Sequence, residues 1–109
     1  MKLVIAIVQD DDASDLIDEI TEDGFRVTKL ATTGGFLKAG NTTLMIGVEE
    51  KDVDKLIKKI EEICKVRKQI VTSPSPVTGS AGMYVPYPIE VEVGGATVFV
   101  VDVDKFVRV

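Results

Sequence analysis

A short run between positions 26 and 41 carries the groups that an anionic nucleotide needs. Arg26 offers a guanidinium group, Thr28 a hydroxyl and Asn41 an amide, and Gly34-Gly35 and Phe36 lie between them. Guanidinium groups pair with phosphate, and glycine amides can approach its oxygens closely. An aromatic ring stacks on a base, and an asparagine amide can read an adenine edge. The run therefore indicates a nucleotide site, while an ordinary β-turn remains the alternative explanation for its glycines.

The distribution of charge sets this run apart from the rest of the chain. The sequence has 13 Lys+Arg and 18 Asp+Glu, a formal net charge of −5. Residues 24–47 nevertheless contain three basic residues, Arg26, Lys29 and Lys38, and no acidic one. A pI near 4.7 argues against a broad nucleic-acid surface, because such binding depends on counterion release at a basic patch. We expect a local anion site and no nucleic-acid partner.

The residue inventory restricts the chemistry further. The chain has no histidine and one cysteine, Cys64, which lies on an apolar helical stripe. It therefore has no internal disulfide and no histidine-dependent triad, and the usual zinc and copper ligand sets are missing. The acids at 10–12 are typical of a helix start, and no convergent carboxylate pair is visible. We expect no enzymatic activity, no metal site and no cofactor.

The apolar start of the chain, Leu3–Val8, is short and runs directly into Gln9 and three aspartates. It is too short and too acidic downstream for a secretory or membrane segment. We interpret it as a strand, and we expect a cytoplasmic protein with no membrane insertion.

Hydrophobic periodicity predicts the elements that position these residues, within a single domain spanning residues 1–109. After the second helix comes an uncharged stretch at 72–82, rich in Pro, Gly and Ser, which reads as a long loop. The prolines at 86 and 88 limit the next strand to a start after 88. The predicted elements are strands at 2–8, 25–33 and 42–48, helices at 11–23 and 50–66, and a hairpin of 89–93 with 96–103 around Gly94-Gly95.

This order indicates an α+β fold, a ferredoxin-like βαββαβ sandwich with an extra C-terminal strand and both helices on one face of the sheet. The first strand is apolar on both of its faces. The face without helices must therefore also be buried, and association of subunits through the sheet is the simplest solution. The opposing sets are Val4, Ala6 and Val8 against Leu3, Ile5 and Ile7.

Two long blocks, Arg26–Leu37 and Glu92–Phe99, resemble the PII-like cyclic di-AMP receptors of Gram-positive bacteria, and shorter similarities run the length of the chain. The resemblance implies a homotrimer of ferredoxin-like subunits with cyclic di-AMP bound in the clefts between them. It also implies a short loop between the second and third strands and an enlarged loop after the second helix.

The resemblance also implies which residues bind the ligand. One group is expected to hold an adenine and its ribose phosphate, and a second group to complete the pocket together with the adjacent subunit. Taken alone, Phe36 is also explained as a loop anchor, Phe99 as a core ring and Arg26 as the partner of an acid. The first group is Gly35, Phe36, Leu37, Asn41 and Gly47, and the second is Arg26, Thr28 and Phe99.

The expected function is that of a cyclic di-AMP-binding signal transduction protein. The messenger would bind between subunits, alter loop conformation and so regulate an unidentified downstream protein. The alternative is a PII-type sensor of ATP or ADP. An enzyme is the third class, and the residue inventory offers little support for it.

Overall fold

The computed structural model describes residues 1–31, 40–76 and 84–109. A single 3-10 turn, Glu50–Asp52, precedes the second helix. The helices and strands are β1 (Lys2–Gln9), α1 (Asp10–Glu22), β2 (Val27–Ala31), β3 (Asn41–Val48), α2 (Val53–Cys64), β4 (Arg67–Pro76), β5 (Tyr84–Val93) and β6 (Ala96–Asp102).

Four strands form one antiparallel sheet in the order β2-β3-β1-β6. The two helices pack against each other and against one face of this sheet. The α+β class and the ferredoxin-like arrangement predicted from the sequence are therefore observed. The predicted bounds of β1, α1, β3 and α2 agree with the structure within a few residues at each end, α2 being preceded by its 3-10 turn.

The core lies between the helices and the sheet. Alternate residues of β1 and β3 point to the helices, as the period-2 pattern requires. The facing residues of α1 and α2 recur at intervals of four, so each helix presents one apolar stripe. The fully buried side chains of this core include Val4, Ala6, Leu44, Ile46, Leu16, Ile20, Leu56 and Ile60.

The opposite face of the sheet, which we call the open face, carries no helix and is largely apolar. Paired residues on neighbouring strands share a face, so the register defines its rows. One row runs across the sheet from Phe99 through Ile5 and Met45 to Thr28. Phe99 leaves 52% of its surface exposed there. The sequence correctly indicated a sheet that is apolar on both faces.

The predicted hairpin between 89–93 and 96–103 is wrong. β5 pairs with β4, and β6 instead pairs with β1 along the edge of the main sheet. Gly94 and Gly95 have positive φ values of 89° and 94°, as a tight turn requires, but they connect two different sheets. The additional strands are thus a hairpin inserted between α2 and β6, not an extra C-terminal strand.

The prediction of a long loop at 72–82 is also wrong where the structure describes it, because β4 continues to Pro76 and β5 begins at Tyr84. The prolines were expected to prevent strand formation here, because proline has no backbone N–H to donate. In the observed register Pro74 pairs with Pro86, and Pro88 pairs with Thr72. All four prolines of the hairpin, the fourth being Pro76, fall on alternate positions. Each proline therefore lies at a position where a backbone N–H would point away from the partner strand, so the missing N–H removes no bond between β4 and β5.

Candidate functional site

Three of the predicted ligand residues meet in one pocket of the open face. The pocket has a volume of about 420 Å³ and is lined by Arg26, Thr28 and Gly47 together with apolar side chains. The register explains the meeting, because Thr28 pairs with Met45 and Gly47 is two residues further along β3. Ligand sites typically combine a few polar groups with apolar walls in a cavity of this size. We call it the Arg26 pocket.

The chemistry of the Arg26 pocket suits a flat base joined to an anionic group. Arg26 and Thr28 are both exposed, so their polar groups are accessible. Among the described residues, no carboxylate lies within ion-pair distance of Arg26, which leaves its guanidinium available for an external anion. Leu3, Met45 and Phe106 supply apolar wall.

Gly47 keeps part of this pocket open. A Cβ built on Gly47 would meet only the Met1 Cε atom, at 3.9 Å. Packing within the subunit therefore does not demand glycine at this position. A larger side chain at 47 would instead take up space in the Arg26 pocket, which Gly47 lines.

Asn41 and Phe99 lie away from the Arg26 pocket. Asn41 is six residues from Gly47 along β3, a separation of roughly 20 Å, and Phe99 lies three strand spacings from Thr28, roughly 14 Å. Phe99 is on the open face, so the alternative that it is a core ring does not hold within the subunit. The predicted ligand residues Gly35, Phe36 and Leu37 fall outside the described residues.

A polar cluster at the junction of β1 and α1 was not predicted as part of a site. The Asp12 carboxylate is buried and pairs with both terminal nitrogens of Arg67, at 2.7 and 3.4 Å. Asp10 accepts a hydrogen bond from the Thr42 hydroxyl, and its N–H donates to the Gly40 carbonyl at 3.0 Å. This junction therefore contacts Gly40 and Thr42, where β3 begins, and also the base of the β4–β5 hairpin.

The sequence contains a signal for the buried pair. Asp12, Leu16 and Ile20 are spaced by four, so Asp12 occupies the apolar stripe of α1. A charged residue on such a stripe needs a partner, since an unpaired buried carboxylate is costly. The identity of that partner, 55 residues away, could not be read from the spacing.

Gln9 and the two glycines complete the base of the hairpin. The Gly94 N–H donates to the Gln9 Oε1 atom at 2.8 Å, and the Gly95 N–H donates to the Cys64 carbonyl. The Cys64 side chain is buried, and desolvation raises the pKa of its thiol to about 11. Cys64 is therefore a structural residue, as its position on the apolar stripe predicted.

Two comparisons relate the chain to known proteins. The sequence model of the cyclic-di-AMP receptor family matches residues 1–109. A crystal structure presented as that of a functionally unknown protein from Pediococcus pentosaceus is 47% identical in sequence, with a TM-score of 0.78, and the match covers 99% of this chain and 96% of that one. In the described ranges, no helix has the length and apolar character needed to cross a membrane.

Proposed function

Because the chain belongs to the cyclic-di-AMP receptor family, we propose that it binds cyclic di-AMP and signals the presence of this messenger to a protein partner in the cytoplasm. The family match over the whole chain carries this proposal. The Arg26 pocket supports it, since a guanidinium group, a hydroxyl and apolar walls suit a phosphate and a purine. A receptor family also indicates a signalling role in place of catalysis.

The binding site is completed between subunits of a homotrimer. Within one subunit the predicted ligand residues are too widely separated for a single pocket, because Phe99 and Asn41 lie far from Arg26. The open face exposes Phe99 and Val101 beside half-buried Ile5, and apolar surface of this kind favours association. A neighbouring copy packed on this face would supply the missing wall.

Ligand binding reaches the β4–β5 hairpin through the junction of β1 and α1. Asp10 contacts Gly40 and Thr42, next to the predicted ligand residue Asn41, and Asp12 two residues later holds Arg67 at the start of β4. A change at the ligand site that moves the first turn of α1 therefore changes the hairpin base. The ligand must bind the two arrangements with different affinity, since equal affinity shifts nothing.

Isothermal titration calorimetry tests the binding step. Purified protein is titrated with cyclic di-AMP, cyclic di-GMP, ATP and ADP, and we expect the tightest binding for cyclic di-AMP. Arg26→Gln should weaken it by roughly ten- to a hundredfold, the value of a charged hydrogen bond. Lys58→Gln removes the same charge from an exposed position on α2 and should leave binding unchanged.

The outcome separates the candidate functions. Preferential binding of ATP or ADP would favour the PII-type nucleotide sensor, for which the family match gives no support. Absence of heat with every nucleotide would contradict the proposed receptor function. Equal affinity of the Arg26→Gln and Lys58→Gln variants would show that the ligand binds elsewhere on the chain.

Hydrogen exchange with and without cyclic di-AMP tests the transmission step. In the native protein we expect ligand to change amide protection in β4 and β5. Arg67→Met should retain binding but lose this change, because it breaks the pair with Asp12. Lys68→Met is the matched control, since Lys68 is the next residue and its contact with Glu90 lies within the hairpin, at 3.6 Å. An undiminished response in Arg67→Met would rule out this route.

A further inference from the structure

The chain after β6 returns to the Arg26 pocket. Residues 103–109 have no regular secondary structure, and the Val103 N–H donates to the Met1 carbonyl at 3.3 Å, which holds the segment beside the start of β1. Three residues later, Phe106 lines the same pocket as Arg26 and Thr28. The resemblance assigned no ligand role to this segment.

Phe106 is not a core residue. Its side chain is 62% exposed, although it forms part of a pocket wall. Exposure of a large aromatic ring in a pocket is unfavourable unless something covers the ring, and a nucleobase is a suitable cover because it has two flat apolar faces. The guanidinium group of Arg26 lines the same pocket, where it can pair with the phosphate attached to such a base.

We propose that Phe106 stacks on one adenine of cyclic di-AMP in the Arg26 pocket, an inference that rests on the proposed function. Cyclic di-AMP carries two adenines, and a single ring face cannot stack on both. Within the subunit Phe99 does not line this pocket. Phe106 is the aromatic residue that the described structure places at the pocket wall.

Calorimetry with cyclic di-AMP on four proteins tests this role. Phe106→Leu keeps an apolar side chain but removes the aromatic face, and we expect roughly tenfold weaker binding. Phe106→Tyr retains the face and should bind within about threefold of the native protein. Val107→Ala is the matched control, because Val107 is the next residue, is similarly exposed at 64% and does not line the pocket. Native mass spectrometry of each variant reports the number of subunits.

The results distinguish failure of this inference from failure of the proposed function. If native protein binds cyclic di-AMP and Phe106→Leu binds equally well, the stacking role is overturned and the receptor function stands. A changed subunit number in Phe106→Leu would assign the ring to assembly and also overturn the stacking role. If the native protein gives no heat with cyclic di-AMP, both proposals fail. Weak binding by Phe106→Leu with recovery in Phe106→Tyr and unchanged assembly supports the inference.

Discussion

Substitution of Gly94 by alanine should destabilise the protein far more than the same substitution at Gly24. Both glycines have nearly the same positive φ, 89° and 92°. A Cβ on Gly94 would collide with the Lys65 carbonyl oxygen and would lie 2.7 Å from a guanidinium nitrogen of Arg67 and 3.0 Å from the Cys64 carbonyl oxygen, whereas a Cβ on Gly24 meets nothing within 4 Å. The pair thus separates the cost of the backbone angle from the cost of the collision.

The two costs can be estimated separately. A left-handed backbone angle costs an L-residue about 1–2 kcal/mol, and this contribution is common to both variants. Forcing an extra methyl group into a filled site costs about 1–3 kcal/mol more, and two of the three nearest atoms at Gly94 are backbone oxygens that cannot rotate away. We therefore expect a loss of about 2–5 kcal/mol in the free energy of unfolding for Gly94→Ala and about 1–2 kcal/mol for Gly24→Ala.

Urea denaturation followed by circular dichroism measures the difference. The midpoints are compared at one subunit concentration, because the proposed assembly would make stability depend on concentration. Gly95→Ala is an intermediate control, since its φ is 94° but its nearest contact is the Val66 Cγ2 atom at 3.4 Å. If Gly94→Ala and Gly24→Ala lose the same free energy of unfolding within about 0.5 kcal/mol, the hairpin base accommodates a methyl group and the collision at Gly94 is refuted.

Two further predictions concern the core and the open face. Cys64, whose pKa is raised to about 11 by burial, should resist thiol reagents at pH 8 in the folded protein and react fully in denaturant. The free energy of unfolding should fall as pH rises from about 9 towards 11, because only the unfolded thiol ionises in this range. Rapid labelling of the native protein would contradict the burial. Ala6→Asp should prevent folding, because it places an unpaired carboxylate in a fully buried site, whereas Ile5→Asp, one residue away on the open face, should fold but fail to assemble. Circular dichroism measures the folding of both variants, and native mass spectrometry measures their assembly. Normal assembly of Ile5→Asp would refute the proposed interface.

Local periodicity was sufficient for the elements of the main sheet and its helices. Val4, Ala6 and Val8 alternate, and Leu16 and Ile20 recur at helical spacing. The spacing of apolar residues therefore indicates which side of each element is buried. The polar run around Arg26 and the sequence blocks that contain it were enough to suggest the receptor family, which the match over residues 1–109 confirms. The predicted roles of the individual ligand residues stay predictions.

The local sequence pattern does not determine which strands pair with each other. Positive φ angles at Gly94-Gly95 suit a hairpin turn and also suit a connection between two sheets, so they do not specify whether β6 pairs with β5 or, as observed, with β1. Likewise, proline is unfavourable in a strand only where the backbone N–H would donate to the partner strand, and the register of β4 and β5 places these prolines at the other positions.

The amino-acid sequence by itself determined the amphipathic elements, the sheet that is apolar on both faces, and the family. These properties depend on the spacing of apolar residues within each element and on contiguous blocks of sequence. The tertiary structure alone decided that Asp12 pairs with Arg67, that Phe106 joins Arg26 in one pocket, and that Phe99 and Asn41 stand apart from it. Those relations join residues far apart in the chain, and their distances are set by the order and register of the strands, which no local pattern specifies.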